Sequence, residues 1–177
     1  MTVLEFAIFT LRTPHTPSSP TSPNTIYLIG AWDSVPAHNS FLASDENQKL
    51  LADAKGVIDV DVMYHAEMDG GAVPLGAPVV SVGRHHVKRG MKTGFEGCFG
   101  RVRGVLSGST GAWEVAGGWR LDEGEGEEKG QEWLLFTGWE SVTQHEEFGR
   151  SEKFKEYAEI REFLEGFEVR HAVRYDI

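Results

Sequence analysis

A chain of 177 residues with 40% hydrophobic and 11% aromatic side chains is long enough to bury a core without metal or disulfide support. Its 17 Lys and Arg against 27 Asp and Glu leave a formal charge of −10, which argues against nucleic acid or an anionic membrane as partner. No apolar run approaches the ~20 residues needed to span a bilayer, no secretory leader is visible, and the single cysteine, Cys98, forms no internal disulfide, so a reducing cytoplasmic setting is expected.

Taken in chain order, Val3 to Leu11 reads as a strand. Thr13 to Asn24 repeats proline at every third position, Pro14, Pro17, Pro20 and Pro23, and so is expected as an exposed non-helical connection. Its four Ser/Thr-Pro pairs also fit a polyproline ligand or kinase targets. Thr25 to Ala31 is a second strand, and Ser34 to about Ala54 a helix whose Phe41, Leu42, Leu50 and Leu51 should cover a sheet. Val57 to Ala66 closes this first part. After a linker at 71–77, Pro78 to Lys88 is a Val-rich strand. Phe95, Phe99, Val102 and Leu106 then recur three or four apart, as on one face of a helix running from about 93 to 106.

Two strands follow, one around Trp113 to Leu121 and one over Trp133 to Trp139, separated by the polar, glycine-rich Asp122 to Gly130. Ser141 with Gln144 three residues on forms a capping box for a second helix, with Phe148, Phe154, Tyr157, Ile160 and Phe163-Leu164 on its buried side. Gly166 is expected to end that helix, and Val169 to Tyr175 to be the closing strand. The order β-α-β-β-α-β is the split unit in which two helices cover one face of a four-stranded antiparallel sheet.

The two parts resemble each other. Ile29 to Phe41 recurs as Phe136 to Phe148 at a constant offset of 107, matching Trp32 with Trp139, Ser34 with Ser141, Val35 with Val142, His38 with His145 and Phe41 with Phe148. Ser44 meets Ser151 at the same offset, and His65-Ala66 meets His171-Ala172 after a slip of one. Residues 1–70 and 78–177 are therefore read as two diverged copies of one ferredoxin-like unit, the first lacking a helix and a strand. The first and third strands of such a sheet are antiparallel neighbours, so a direct loop between them preserves their pairing.

At Trp139-Glu140-Ser141 with His145 and Phe148, and at Gly117-Gly118-Trp119-Arg120, the sequence resembles the fungal branch of the antibiotic-biosynthesis-monooxygenase-like family in the dimeric α+β barrel superfamily. That resemblance implies an α+β fold in which two units close a barrel within one chain. It also implies a range of activities on small, flat metabolites of secondary metabolism. These include cofactor-free oxygenases of aromatic polyketides, haem-degrading relatives, polyketide cyclases and isomerases, alongside members with no known activity.

The site candidates follow from chemistry. His171 on the closing strand is the candidate general base, with His65 its counterpart in the first copy. His145 and His38 sit at helix starts, Trp139 and Trp119 could wall a hydrophobic pocket, and Arg120 could hold a substrate oxyanion. Each also has a plain structural reading as a packed or capping residue. Adjacent strand residues point to opposite faces, so Trp119 and Arg120 cannot share one cavity, and His85-His86 beside Arg84 cannot chelate one ion. No metal and no cofactor is expected. Cys98 reads as a small buried side chain. Two readings stay open, a cofactor-free monooxygenase, cyclase or isomerase acting on a small hydrophobic molecule, and a non-catalytic ligand-binding or assembly module. Haem binding is a weaker third, and association into a homodimer is also open. Any ligand is expected in residues 78–177, where both helices are present.

Overall fold

The computed structural model describes residues 2–12, 24–121 and 131–174. Within them, seven strands form two antiparallel sheets. The first sheet contains β1 (Val3–Leu11), β2 (Thr25–Trp32) and β3 (Ile58–Ala66), in the order β2-β1-β3. The second contains β4 (Val79–Val87), β5 (Val115–Trp119), β6 (Gln131–Trp139) and β7 (Leu164–Ala172), in the order β5-β6-β4-β7. Helix α3 (Lys92–Thr110) links β4 to β5. The β6-to-β7 connection holds α4 (Val142–Arg150), α5 (Glu152–Tyr157) and a 3-10 turn over Ala158–Phe163. The second sheet with these helices is the complete split unit. Among the described residues the first has α1 (Val35–Leu42) and α2 (Asp45–Ala54), and its order β2-β1-β3 matches β6-β4-β7 without a counterpart of the outer strand.

The two sheets face each other as an intrachain pseudo-dimeric α+β barrel. Leu4, Phe6, Tyr64 and Ala66 of the first sheet pack against Val80, Val82, Leu134 and Phe136 of the second. Phe6 anchors this core, with its ring 5.4 Å from Tyr64 and 5.9 Å from Phe136. Burying one such side chain stabilises the fold by roughly 1.5–3 kcal/mol. A second core lies on the other face of the second sheet, where Phe95, Phe99, Val102 and Leu106 of α3 meet Leu135, Trp139 and Trp119. Cys98 is buried there. Among the described residues, no helix is long and apolar enough to cross a membrane.

One seam of the barrel is bonded through backbone. Glu67 N–H donates to the Trp119 carbonyl and Leu121 N–H to the His65 carbonyl, each at 2.8 Å, joining the end of β3 to the edge of β5. Gly118 permits this approach. A Cβ at that position would overlap the Glu67 carbonyl oxygen and lie 2.8 Å from its carbon. Gly118→Ala is therefore expected to destabilise the protein by about 1–3 kcal/mol, because backbone and not a flexible side chain must yield. A urea midpoint within error of the native protein would show that the seam is not tight.

Several boundaries differ from the sequence reading. The helix expected over 34–54 is two helices, because Ser44 acts as a second cap, accepting from Asn47 N–H. Ser151 does the same for α5, accepting from Phe154 N–H. The chain then turns into β7 at Leu164, five residues before the expected Val169, so Gly166 lies inside the strand opposite His86 and does not end a helix. Helix α3 runs on to Thr110. Leu50 and Leu51 do not cover the sheet. They are exposed, while Asn47 of α2 is buried. The proline-rich connection, Asn24 excepted, and the Asp122 to Gly130 loop lie outside the described residues. The strands flanking the former are antiparallel neighbours, with Leu11 N–H donating to the Asn24 carbonyl at 2.8 Å.

Candidate functional site

The Trp-acid-Ser segments end β2 and β6 and start the helices above them. Ser141 accepts from Gln144 N–H while the Gln144 side chain accepts from Glu140 N–H, and this reciprocal cap fixes where α4 begins. His145 is thereby held in the first turn, facing the sheet. Trp139 stacks on it, with ring centroids 4.4 Å apart and planes 10° apart. Register brings His171 to the same place, since β7 pairs with β4 through Ser81 opposite His171. His145 Nδ1 and His171 Nε2 are 2.7 Å apart.

The first sheet carries the same arrangement with one difference. Trp32 stacks on His38 at 4.3 Å, and His38 Nδ1 lies 2.7 Å from His65 Nε2. There, the strand position opposite the closing-strand histidine is Glu5. Its Oε2 accepts from Trp32 Nε1 at 2.7 Å and lies 3.3 Å from His38 Nε2. Glu5, His38 and His65 are all buried. In the second sheet Ser81 stands at this position. It bonds Thr137 at 3.0 Å, and Thr137 in turn accepts from Trp139 Nε1 at 2.7 Å.

The shorter side chain leaves space. Ser81, Gly83, Leu135, Thr137 and His145 line a cavity of about 200 Å³ between the second sheet and its helices. Aromatic and aliphatic groups from α4, α5 and β7, including Phe148, Phe154, Tyr157 and Phe167, complete its wall. Its volume falls below the ~300–1,000 Å³ of drug-sized sites and matches one or two rings.

His145 lines this cavity, whereas Trp139 and His171 do not: Trp139 is fully buried and stacks on His145, and His171 is bonded to it. Trp119 and Arg120 are not among its lining residues. Trp119 packs in the helix-side core and donates to Glu96 at 2.8 Å. Arg120 points to the opposite face, into the barrel, 3.3 Å from Glu132. His85 is a lining residue that the sequence reading set aside with His86. It is 5% exposed, and its Nδ1 has no hydrogen-bond partner among the described residues. Gly83 makes room for its ring, since a Cβ there would lie 2.8 Å from His85 Cε1. The signal was present in β4, where Ser81 and Gly83 are small residues on the face that also carries His85. Among the described residues no group of three or more His, Cys, Asp or Glu could hold a metal.

Burial, with the neighbouring His171 adding to it, pushes His145 down to about 4. Burial likewise pushes His85 down to about 4, against the opposing pull of the Trp133 backbone. His171 is also lowered, by burial, with Glu146 opposing. These imidazoles are therefore neutral at pH 7, and the short His145–His171 contact is one nitrogen donating to a lone pair on the other. An unfolded histidine titrates near ~6.5, so the unfolded chain binds more protons than the native state below that pH. The stability these groups contribute is present above pH ~6.5 and is lost as pH falls toward about 4. Urea unfolding at pH 7 and pH 5 should show a loss that is smaller in His85→Leu and His145→Ala. Equal losses in all three proteins would show that other groups carry the pH dependence.

No protein-family model matches the sequence, and no curated protein matches it at a significant level. Solved structures do match. An anthrone oxidase-like protein superposes with a TM-score of 0.70 at 14% identity, covering 98% of this chain and 92% of that one. A candidate monooxygenase from Lactobacillus acidophilus NCFM gives 0.63 at 13% identity over 98% and 93% of the two chains. Another from Fusobacterium nucleatum gives 0.63 at 8% over 97% and 91%. At such identities the likeness shows the fold, and it extends over the whole chain.

Proposed function

We propose that residues 78–177 bind a flat one- or two-ring phenol or enolisable ketone in the sheet-to-helix cavity, where the His145–His171 pair takes up a proton from it. The observation that carries this reading is the replacement of Glu5 by Ser81. In the first unit a carboxylate fills the space beside His38, and in the second that space is a cavity with His145 on its wall. We take residues 1–70 and 78–177 to be diverged copies joined by 71–77, and the paired Trp, Ser and His positions support this.

Chemically, a depressed pKa keeps the imidazole in its proton-accepting form at neutral pH but weakens its driving force. Only an acidic O–H or a C–H beside a carbonyl and a ring is then a suitable donor. A proton received at His145 can pass along the 2.7 Å contact to the less buried His171. This step is common to cofactor-free oxygenation, cyclisation and isomerisation. In the oxygenase case a ring CH₂ plus O₂ becomes C=O plus water, and the names of the structural neighbours favour it as the first reaction to test.

The experiment is a panel comprising 1-naphthol, 1-tetralone and 1,4-dihydroxynaphthalene, followed by tryptophan fluorescence for binding and an oxygen electrode for turnover. Native protein should bind at least one member, and Val169→Trp, which fills the cavity from a partly exposed position, should not. Binding without turnover of any kind would favour the ligand-binding module. Binding unchanged in Val169→Trp would place the ligand elsewhere.

A further inference from the structure

Resting on the cavity reading above, we infer that its ligand carries a carboxylate or equivalent anionic group, and that Arg161 is the specificity-determining residue that receives it. Arg161 is the one permanently charged side chain among the described residues lining an otherwise mostly apolar cavity. Its guanidinium carbon lies 5.0 Å from the ring of Phe154 and 5.0 Å from the ring of Phe167, so two aromatic faces hold the cation between them. The opposite face of this wall continues inward, as Phe167 stacks on His85 with centroids 6.3 Å apart.

Position and charge point the same way. Phe167 is 48% exposed and Arg161 is exposed, which places the sandwich at the mouth of the cavity, whereas His145 and Ser81 lie on the sheet side. No carboxylate is bonded to Arg161 among the described residues, although the chain carries an acidic excess and other arginines near this face, such as Arg101 and Arg150, have acidic partners. The two rings hold the guanidinium carbon in place, and its N–H groups can serve a bidentate acceptor. A flat acid would thus seat its ring among the apolar residues and its carboxylate at the entrance.

Ring shape and charge can be separated with 2-naphthoate and its neutral near-isostere 2-naphthamide, measured by tryptophan fluorescence and ligand-observed NMR at low and high NaCl. Native protein should bind the acid ~10-fold or more tightly than the amide, and salt should weaken only the acid. Arg161→Gln, a change at an exposed position, should bring the acid to the affinity of the amide and leave the amide unchanged. Arg161→Lys, which keeps the charge but loses the planar fork, should fall between. If acid and amide bind equally to native protein, or Arg161→Gln weakens both alike, the inference is wrong while the cavity reading stands. If neither binds and Val169→Trp changes nothing, both fail together.

Discussion

Replacing Glu132 with alanine is expected to destabilise the protein by about 3 kcal/mol, the cost of removing one partner from a buried ion pair. Glu132 is 1% exposed and lies inside the barrel. Arg84 donates to it through Nε at 2.6 Å and Nη2 at 3.1 Å, and Tyr64 donates its hydroxyl at 2.6 Å. Arg120 Nη1 is 3.3 Å away, its guanidinium 4.4 Å from the Tyr64 ring. The cluster ties three strands across the two sheets, Tyr64 on β3, Arg84 on β4 and Glu132 on β6. Without the carboxylate, two guanidinium groups would face each other in a space only partly open to water. Burial raises the Glu132 pKa, but the hydrogen bonds from Arg84 and Tyr64 outweigh it and hold the carboxyl below its usual range. The contribution is then present above the unfolded value near ~4.3 and is lost as pH falls through the lower folded value. Glu132→Gln should keep the volume, lose most of that contribution at pH 7, and flatten the acid limb below pH ~4.5. A loss under about 1 kcal/mol for Glu132→Ala by urea titration would mean that the arginines are adequately solvated without it.

Much of this architecture can be read before any coordinates. The Ser141 and Gln144 cap, the 3.6-residue spacing of Phe95 to Leu106 and the alternation in β4 each specify local structure, and the adjacency of β1 and β2 is legible from the antiparallel order of such a sheet. What could not be read is which positions meet in space. His145 and His171 were each legible as candidates, but their pairing depends on register between β4 and β7 and on where α4 begins over the sheet. Alternation placed Trp119 and Arg120 on opposite faces without telling which face holds the cavity. Ser44 and Ser151 matched at the same offset as the tryptophans, yet their role as second caps emerges only once the helices are seen to break there. The spacing of Leu164 from Ile160 continues a helical face, and pairing with Val87 overrides that weak local preference.

The pairing of histidines turns the contest between the two halves into a measurable difference. His171→Ala should lower turnover of whichever panel compound is consumed by ~100-fold, the usual loss when a general base or its relay partner is removed. His145→Ala should cost at least as much, and the double variant little more than either single one, because the two imidazoles act as one unit. Melting temperature at pH 7 should change modestly, since His171 is only half-buried and His145 faces a cavity. His65→Ala should behave the other way. His65 is buried beside Glu5 and His38, so its loss leaves buried polar groups of that cluster short of a partner and should cost about 1–3 kcal/mol, with binding unaffected in protein that remains folded. The pH dependence separates base from prop: if His145–His171 accepts the ligand's proton, folded native protein should lose activity as pH falls through about 4, the value of the folded His145, and the residual activity of His145→Ala should show no such loss there. Should His65→Ala abolish binding or turnover while His171→Ala leaves both intact at unchanged melting temperature, the site belongs to the first unit and the cavity in the second is only a packing defect.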